Sequence, residues 1–449
     1  MGGSFFVYNP SFYNLIFHFH AYLSYPHPAG FVNRRGILGG KAAIPPTKGD
    51  RTMKEQARAP KILAAGAAVQ LLTGIPAAWG VFQRPIMEAY AFTRAEATMV
   101  FALLVASYGV GCAVGGFVQD ARGPRFAALW GTALLGTGFL LAAVAPAGNA
   151  PLFLLAYSLP AGVGSAFLAP AVLACAQKWY AGRKGLATGV TGAAMGLSGA
   201  FLTAFVRGVG GAFGIRACLG LLGMLVLLLC GAGAAVLQNP PARPGTKPAA
   251  GPDCPPRVMV QSAAYKLCLA GVALCAPPVL LFSPDILSIA ADRGLQENFA
   301  PLCVVAGSAA SALGRLVCPA LSDKAGRKPV LLGICAGLGA GSVLFGFAGG
   351  WLLVAAYAGL TFCYSGGAAV QPALNTDLFG LPHAGINYGL LALGMSAGSL
   401  LSYAGSQLLP MPARHLAAVG CAAGAAACFA VVKPLCQNGT PVENKRKVG

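Results

Sequence analysis

Hydrophobic and polar positions fall along this chain in long blocks. Apolar runs of about 20 residues, the length a helix needs to cross a bilayer, lie near 61–82, 97–119, 126–146, 151–176, 186–206 and 215–237. A polar, Pro-rich stretch, NPPARPGTKPAAGPDCPPR (239–257), interrupts them. Six more runs follow near 264–286, 298–321, 329–349, 351–371, 384–408 and 412–434. The pattern predicts an all-α membrane protein of twelve transmembrane helices in two six-helix halves. The halves are expected at 53–237 and 263–437, joined by a cytoplasmic linker at 238–262 and followed by a cytoplasmic tail at 438–449. Residues 1–52 are different: aromatic and His-rich, then basic, with no charged leader ahead of the apolar run, so they do not read as a secretory signal. Met53 opens the short basic segment MKEQARAPK. The expectation is that Met53 is the native start and that 1–52 is a disordered or mis-started extension.

Composition agrees with the block pattern. Hydrophobic residues make up 56% of the chain and charged residues 10%, against roughly 25% charged in soluble domains. Mean hydropathy is +0.68. The net charge of +19 suits a nucleic-acid partner only if it is gathered on one surface. Here Lys and Arg sit between the apolar runs, so the expected partner is the lipid bilayer and not nucleic acid. With the N-terminus inside, 19 Lys/Arg flank the spans on that side, while Arg84, Arg94, Arg207, Arg216, Arg293 and Arg414 are the six on the other. The positive-inside rule then places both termini in the cytoplasm of a plasma (inner) membrane protein.

Candidate enzyme chemistry is thin. The 14 cysteines lie mostly inside apolar runs, as Cys112, Cys175, Cys230, Cys335, Cys363 and Cys428 do, without C-x-x-C spacing. Small apolar packing residues account for them better than zinc or a disulfide framework. The five His form no H-E-x-x-H, and no G-x-S-x-G occurs. Neither an enzyme, a metal site nor a cofactor is expected.

The two halves repeat. GFVQDARGPR (116–125) follows the second run and PALSDKAGRK (319–328) the eighth, putting Asp120 and Asp323 203 residues apart. Matching loops in six plus six helices are what a duplicated carrier shows. An ordinary positive-inside loop explains Arg122 and Arg125 but not the repeated Asp. Both loops resemble the G-x-x-x-D-x-x-G-P/R-R/K signature of the major facilitator superfamily, with Pro319 in place of the first Gly of the second copy. The resemblance implies the major facilitator fold, and gating roles for Asp120, Arg122, Arg125, Asp323, Arg327 and Lys328. Physically, such an Asp can pair with a helix N-terminus or an Arg in one conformation only.

Finer features are similar to the oxalate/formate antiporter-like branch and its monocarboxylate-porter relatives. They are AAWGVFQRPI at the end of the first span, KWYAGRKGLATG (178–189), LQNPPARP (237–244), ALGRLVCPALSDKAGRK in the eighth span and NTDLFGLPHAGINYGLL (375–391). This resemblance covers roughly 60–437 and implies carboxylate transport by alternating access.

Arg315 is the leading candidate for the substrate cation. It lies seven residues before Ser322, roughly 10 Å into the eighth helix at 1.5 Å per residue. A charge at that depth costs about 3 kcal/mol on insertion scales, so it should face a cavity and find an anion. A snorkelling, structural Arg is the competing reading. The family's anion-binding arginine of the eighth span falls at this position. Oxalate exchangers of the branch also carry a lysine after the N-Y-G of the eleventh span, where this chain has Met395. They tend to carry Tyr at the positions of Ala77 and Ala169. One cation favours a small organic monoanion, either exchanged for another anion or moved with a proton. Trp79, Tyr364, Met395 and Gln371 are the other expected substrate-binding residues, the last, with Asn375, placed just after the tenth span. Asp285, near the outer end of the seventh span, is the candidate proton carrier, with a helix-start role as its alternative. The related proton symporters tend to carry an Asp at the position of Ser311. A drug or sugar carrier, or a transport-dead sensor, are the competing functions.

Overall fold

The computed structural model describes residues 48–180, 184–240, 254–380, 383–433, 436–437 and 440–441. Expectations for residues 1–47, for most of the linker and for most of the tail lie outside these. The chain folds into a bundle of helices, and a pair of two-residue strands, Cys436–Gln437 and Thr440–Pro441, closes it.

Among the described residues, twelve crossings can be traced once the bent first span is taken as one and the helix over Leu186–Val236 is divided at Gly214. The first is bent by 46°: Lys48–Thr73 gives way to a 3-10 turn, Ile75–Ala78, and then to Trp79–Tyr90. Gly74 and Pro76 at the break explain it, since Pro removes a helical donor and Gly lowers the cost of leaving the helix. This span therefore runs eight residues past the expected end at 82. The second, Arg94–Arg122, starts in a capping box in which Thr93 and Glu96 satisfy each other's backbone N–H. The third is Pro124–Val144 and the fourth Ala150–Trp179. A continuous apolar helix runs over Leu186–Val236, 51 residues. At 1.5 Å per residue it would be more than twice the length a bilayer needs. Gly214, at φ 78° and ψ 164°, breaks it into a fifth and a sixth span.

The seventh span is broken by Pro277 and Pro278 into Ala263–Leu274, Pro277–Leu280 and, after a turn, Ile286–Asp292. The eighth to twelfth are Leu302–Ala325, Arg327–Phe347, Gly350–Phe379, Ala384–Leu408 and Met411–Val431. The tenth continues eight residues beyond the expected 371, so Gln371 and Asn375 lie inside it and not after it. The end of the expected linker is also structured: Pro256–Gln261 is a short helix and Cys254 is buried beside it.

The repeat seen in the sequence is a repeat in conformation. Gly123 ends the second span at φ 88°, ψ 167°, and Gly326 ends the eighth at φ 91°, ψ 154°. Both are positive-φ positions that an L side chain rarely adopts, so the two signature loops turn alike. Large apolar side chains such as Phe347, Leu408, Val144 and Leu416 point outward, as expected where lipid replaces water.

The halves meet along two seams of small residues. The second span runs along the eleventh, and the fifth along the eighth. A Cβ on Gly389 would lie 2.3 Å from the Cys112 carbonyl oxygen, and one on Gly196 2.4 Å from Ala312 Cα. Ser396 and Ser399 donate across the first seam to the carbonyls of Ala106 (2.6 Å) and Ala102 (2.9 Å). Close backbone approach and interhelical hydrogen bonds are how helices associate where lipid supplies no hydrophobic drive.

Candidate functional site

A cavity of about 130 Å³ lies between the halves, near the middle of the bundle. The break in the first span provides one wall through Thr73, Gly74, Pro76 and Ala77; the second and fifth spans add Tyr108 and Met195. The other wall comes from the seventh, eighth, tenth and eleventh spans. Leaving the helix at Gly74 is what brings Pro76 and Ala77 to the cavity surface.

Arg315 lines this cavity and alone carries a charge among its lining residues. Its place is set by packing. A Cβ on the adjacent Gly314 would lie 2.3 Å from the Phe362 carbonyl oxygen, so the eighth and tenth spans touch at backbone level there. Gly192 of the fifth span, whose Cβ would lie 3.3 Å from Arg315 Cβ, leaves room on the other side. The guanidinium Nε is buried without a hydrogen-bond partner. Tyr108, Tyr364 and Tyr388 line the same cavity from three different spans. One turn above Arg315, Ser311 donates to Ser365 at 2.7 Å, and both line the wall. A half-buried guanidinium with a free, buried Nε donor, hydroxyls around it and no lining carboxylate is suited to hold an anion.

Three of the residues singled out from sequence for substrate contact, Arg315, Tyr364 and Met395, meet at this cavity. Trp79 does not. It is fully buried in an aromatic cluster, with ring centroids 6.5 Å from Phe82, 6.3 Å from Phe101 and 6.2 Å from Tyr157. The helix restarts at Trp79, and the turn before it gives Ala77 to the cavity instead. Gln371 is buried in the tenth span and is absent from the lining. Tyr108 and Tyr388 are the residues that sequence reading missed. Each is a Tyr within an apolar helix, which in sequence cannot be told from packing or lipid contact.

The signature loops differ in what they hold. Asp120 Oδ2 accepts the backbone N–H of Ile386 at 3.2 Å, placing a carboxylate at the N-terminus of the eleventh span across the seam. Gly385 permits this, because a Cβ there would lie 2.5 Å from both Asp120 oxygens. Arg122 stacks over Phe126 at 4.9 Å, and Arg125 is exposed. In the second loop Asp323 pairs with Arg327 of the same half, and Arg327 Nε also reaches Asp377 Oδ2 at 3.0 Å. Asp377 was not anticipated. Lys328 is exposed. Asp285 stands apart from both loops, at the opposite end of the cavity, and is bonded to Arg94 and Gln83 of the other half.

Two pseudo-equivalent helical halves meeting around a largely apolar cavity that holds one cation are the architecture of a secondary transporter. A model of the Major Facilitator Superfamily matches residues 63–284. An uncharacterised 38 kDa protein of Thermoproteus tenax is 30% identical over 65% of this chain and 72% of its own length. The oxalate:formate antiporter of Oxalobacter formigenes is 24% identical, covering 74% of this chain and 79% of its own. An uncharacterised MFS-type transporter of Escherichia coli (strain K12) is 25% identical over 74% and 83%. The chain belongs to the major facilitator superfamily and is an integral membrane transporter.

Proposed function

We propose that this transporter carries small organic monoanions, foremost monocarboxylates, by alternating access, with Arg315 pairing the substrate carboxylate. The observation that carries this reading is the lone cation of the cavity, buried at Nε without a partner and without a lining carboxylate to neutralise it. Leaving such a charge unpaired is costly, so a bound anion stabilises the state described here. Size points the same way. At about 130 Å³ the cavity is several times the roughly 30 Å³ share of one water, yet well below the roughly 300 Å³ at which drug-sized pockets begin. That favours a solute of a few heavy atoms over a drug or sugar. With one cation, a dianion would keep one charge unpaired, so formate-, lactate- or pyruvate-sized acids are preferred to oxalate.

Anion exchange is favoured over proton symport. Ser311, one turn from Arg315, is a hydroxyl bonded to Ser365 and offers no proton-carrying carboxylate. The similarity to an oxalate:formate antiporter supports exchange as well. The Lys/Arg asymmetry supports an orientation with both termini in the cytoplasm.

The test is uptake of radiolabelled carboxylates into proteoliposomes, with and without a pH gradient. Arg315→Gln should nearly abolish uptake at matched protein levels. Arg315→Lys keeps the charge but loses the planar fork. It should transport with roughly ten- to hundredfold weaker apparent affinity, the effect of losing one charge-assisted hydrogen bond. Near-normal uptake by Arg315→Gln would leave Arg315 a structural residue and remove this reading.

A further inference from the structure

At the end of the cavity opposite Asp120, the halves meet through a second set of polar contacts. Asp285 is buried, and one of its oxygens, Oδ1, accepts from Arg94 Nε at 2.9 Å and from Gln83 Nε2 at 3.1 Å. Both donors belong to the N-terminal half: Gln83 to the first span, Arg94 to the start of the second. Asp285 makes no side-chain cap bond to the helix it precedes, Ile286–Asp292. Its carboxylate therefore serves the other half and not its own helix. Packing brings the partners together. A Cβ on Gly80 would lie 2.8 Å from Ile286 Cγ2 and 3.3 Å from the Ser283 carbonyl oxygen, so the first span touches the seventh through a bare backbone. An exposed pair, Arg84 with Glu297 at 3.7 Å, crosses the same rim.

We propose that Gln83, Arg94 and Asp285 form the latch that closes this end of the transport path. Asp285 is then a gating carboxylate, not a proton carrier. When the halves separate here, Asp285 loses both donors at once and all three polar groups return to water. That exchange makes the contact weak enough to open and directional enough to fix the closed register. The latch is tied to the cavity. Ser283, two residues before Asp285, lines the cavity and accepts from the Tyr357 hydroxyl at 3.0 Å. Movement of this wall around a solute thus moves the turn that carries the latch. With Asp120 holding the eleventh span at the other end, polar contacts join the halves at both ends in this structure. The latch would serve a major facilitator cycle whatever the solute, so it stands or falls apart from the anion reading.

The test places a cysteine at Val304, which lines the cavity wall, in the full chain. Its labelling by a membrane-impermeant thiol reagent, applied to the Asp285 face of sealed vesicles of known orientation, reports opening at that end. Asp285→Asn and Arg94→Gln should each raise the labelling rate about two- to fivefold, the scale of a solvent-screened ion pair. Glu297→Gln, which breaks only the exposed pair, should leave it unchanged. The charge swap Arg94→Asp with Asp285→Arg should return it toward the parent rate, which separates an opened gate from a misfolded one. The latch is overturned if Asp285→Asn and Arg94→Gln leave labelling at the parent rate. It is equally overturned if Asp285→Asn removes pH-gradient-driven uptake while Arg94→Gln labels and transports like the parent, since Asp285 would then act alone as a proton carrier.

Discussion

Met395 bears on selectivity as directly as Arg315 does. It lines the cavity that holds the guanidinium, on the eleventh span, so a cation introduced there enters the same space. Under the proposed reading, Met395→Lys supplies the second positive charge that a dicarboxylate needs. Oxalate should then compete for uptake roughly tenfold better than in the parent, while monoanions lose affinity, because the extra ammonium stays unpaired when they bind. Competition assays in proteoliposomes measure both. An unchanged ratio of oxalate to monoanion affinity would mean that charge count in this cavity does not set the choice. Arg315 was legible in the sequence because a charge inside an apolar run is expensive and stands out. Tyr108 and Tyr388 were not, because hydroxyl-bearing residues are tolerated on any helix face. Trp79 was misplaced for a related reason: its helix restarts at that residue, and the turn before it hands the cavity to Ala77.

For the helices, the seams matter more than the spans. Gly389 and Gly359 are both glycines inside transmembrane helices, and sequence does not distinguish them. A Cβ on Gly389 would meet the Cys112 carbonyl oxygen at 2.3 Å and Ala113 Cα at 2.6 Å, whereas nothing lies within 4 Å of one on Gly359. Gly389→Ala should therefore force the second and eleventh spans apart. Overpacking of this kind costs about 1–3 kcal/mol, to be seen as a lower melting temperature in detergent and reduced uptake. Gly359→Ala should be neutral or slightly stabilising, since Ala outranks Gly in a helix by up to about 1 kcal/mol. Equal effects from the two would show that neither seam packing nor backbone approach controls stability. Span ends follow similar logic. The tenth helix continues through Pro372 to Phe379 because its last turns are held by neighbouring spans, which a hydropathy window cannot register.

Across the whole molecule, the orientation proposed from Lys/Arg placement can be checked with exposed loop positions. Ala147, between the third and fourth spans, and Lys324, in the second signature loop, are exposed at opposite faces. An impermeant thiol reagent added to intact cells should label Ala147→Cys and leave Lys324→Cys unlabelled until the membrane is opened. The reverse result would invert the topology. The native background is favourable, because the described cysteines are buried or half-buried. Cys254 itself would be a poor reporter, since it is buried against the bundle, with Asn387 donating to its carbonyl at 3.0 Å.

The sequence by itself determined the number of spans, their pairing into two halves, the repeated signature loops and one cation inside an apolar run. These follow from local physics: apolar length against bilayer thickness, the cost of a charge in lipid and the bias of cations to one side. Only the tertiary structure decided which residues share the cavity and which lock its ends. Tyr108, Tyr364, Tyr388 and Arg315 come from four spans, and Asp285 meets Arg94 191 residues away. Those meetings depend on where glycines let backbones touch and where Gly74, Gly214 and the Pro277–Pro278 pair bend the helices. Contacts between distant segments arise from packing the two halves together, and no window along one strand of text contains both partners.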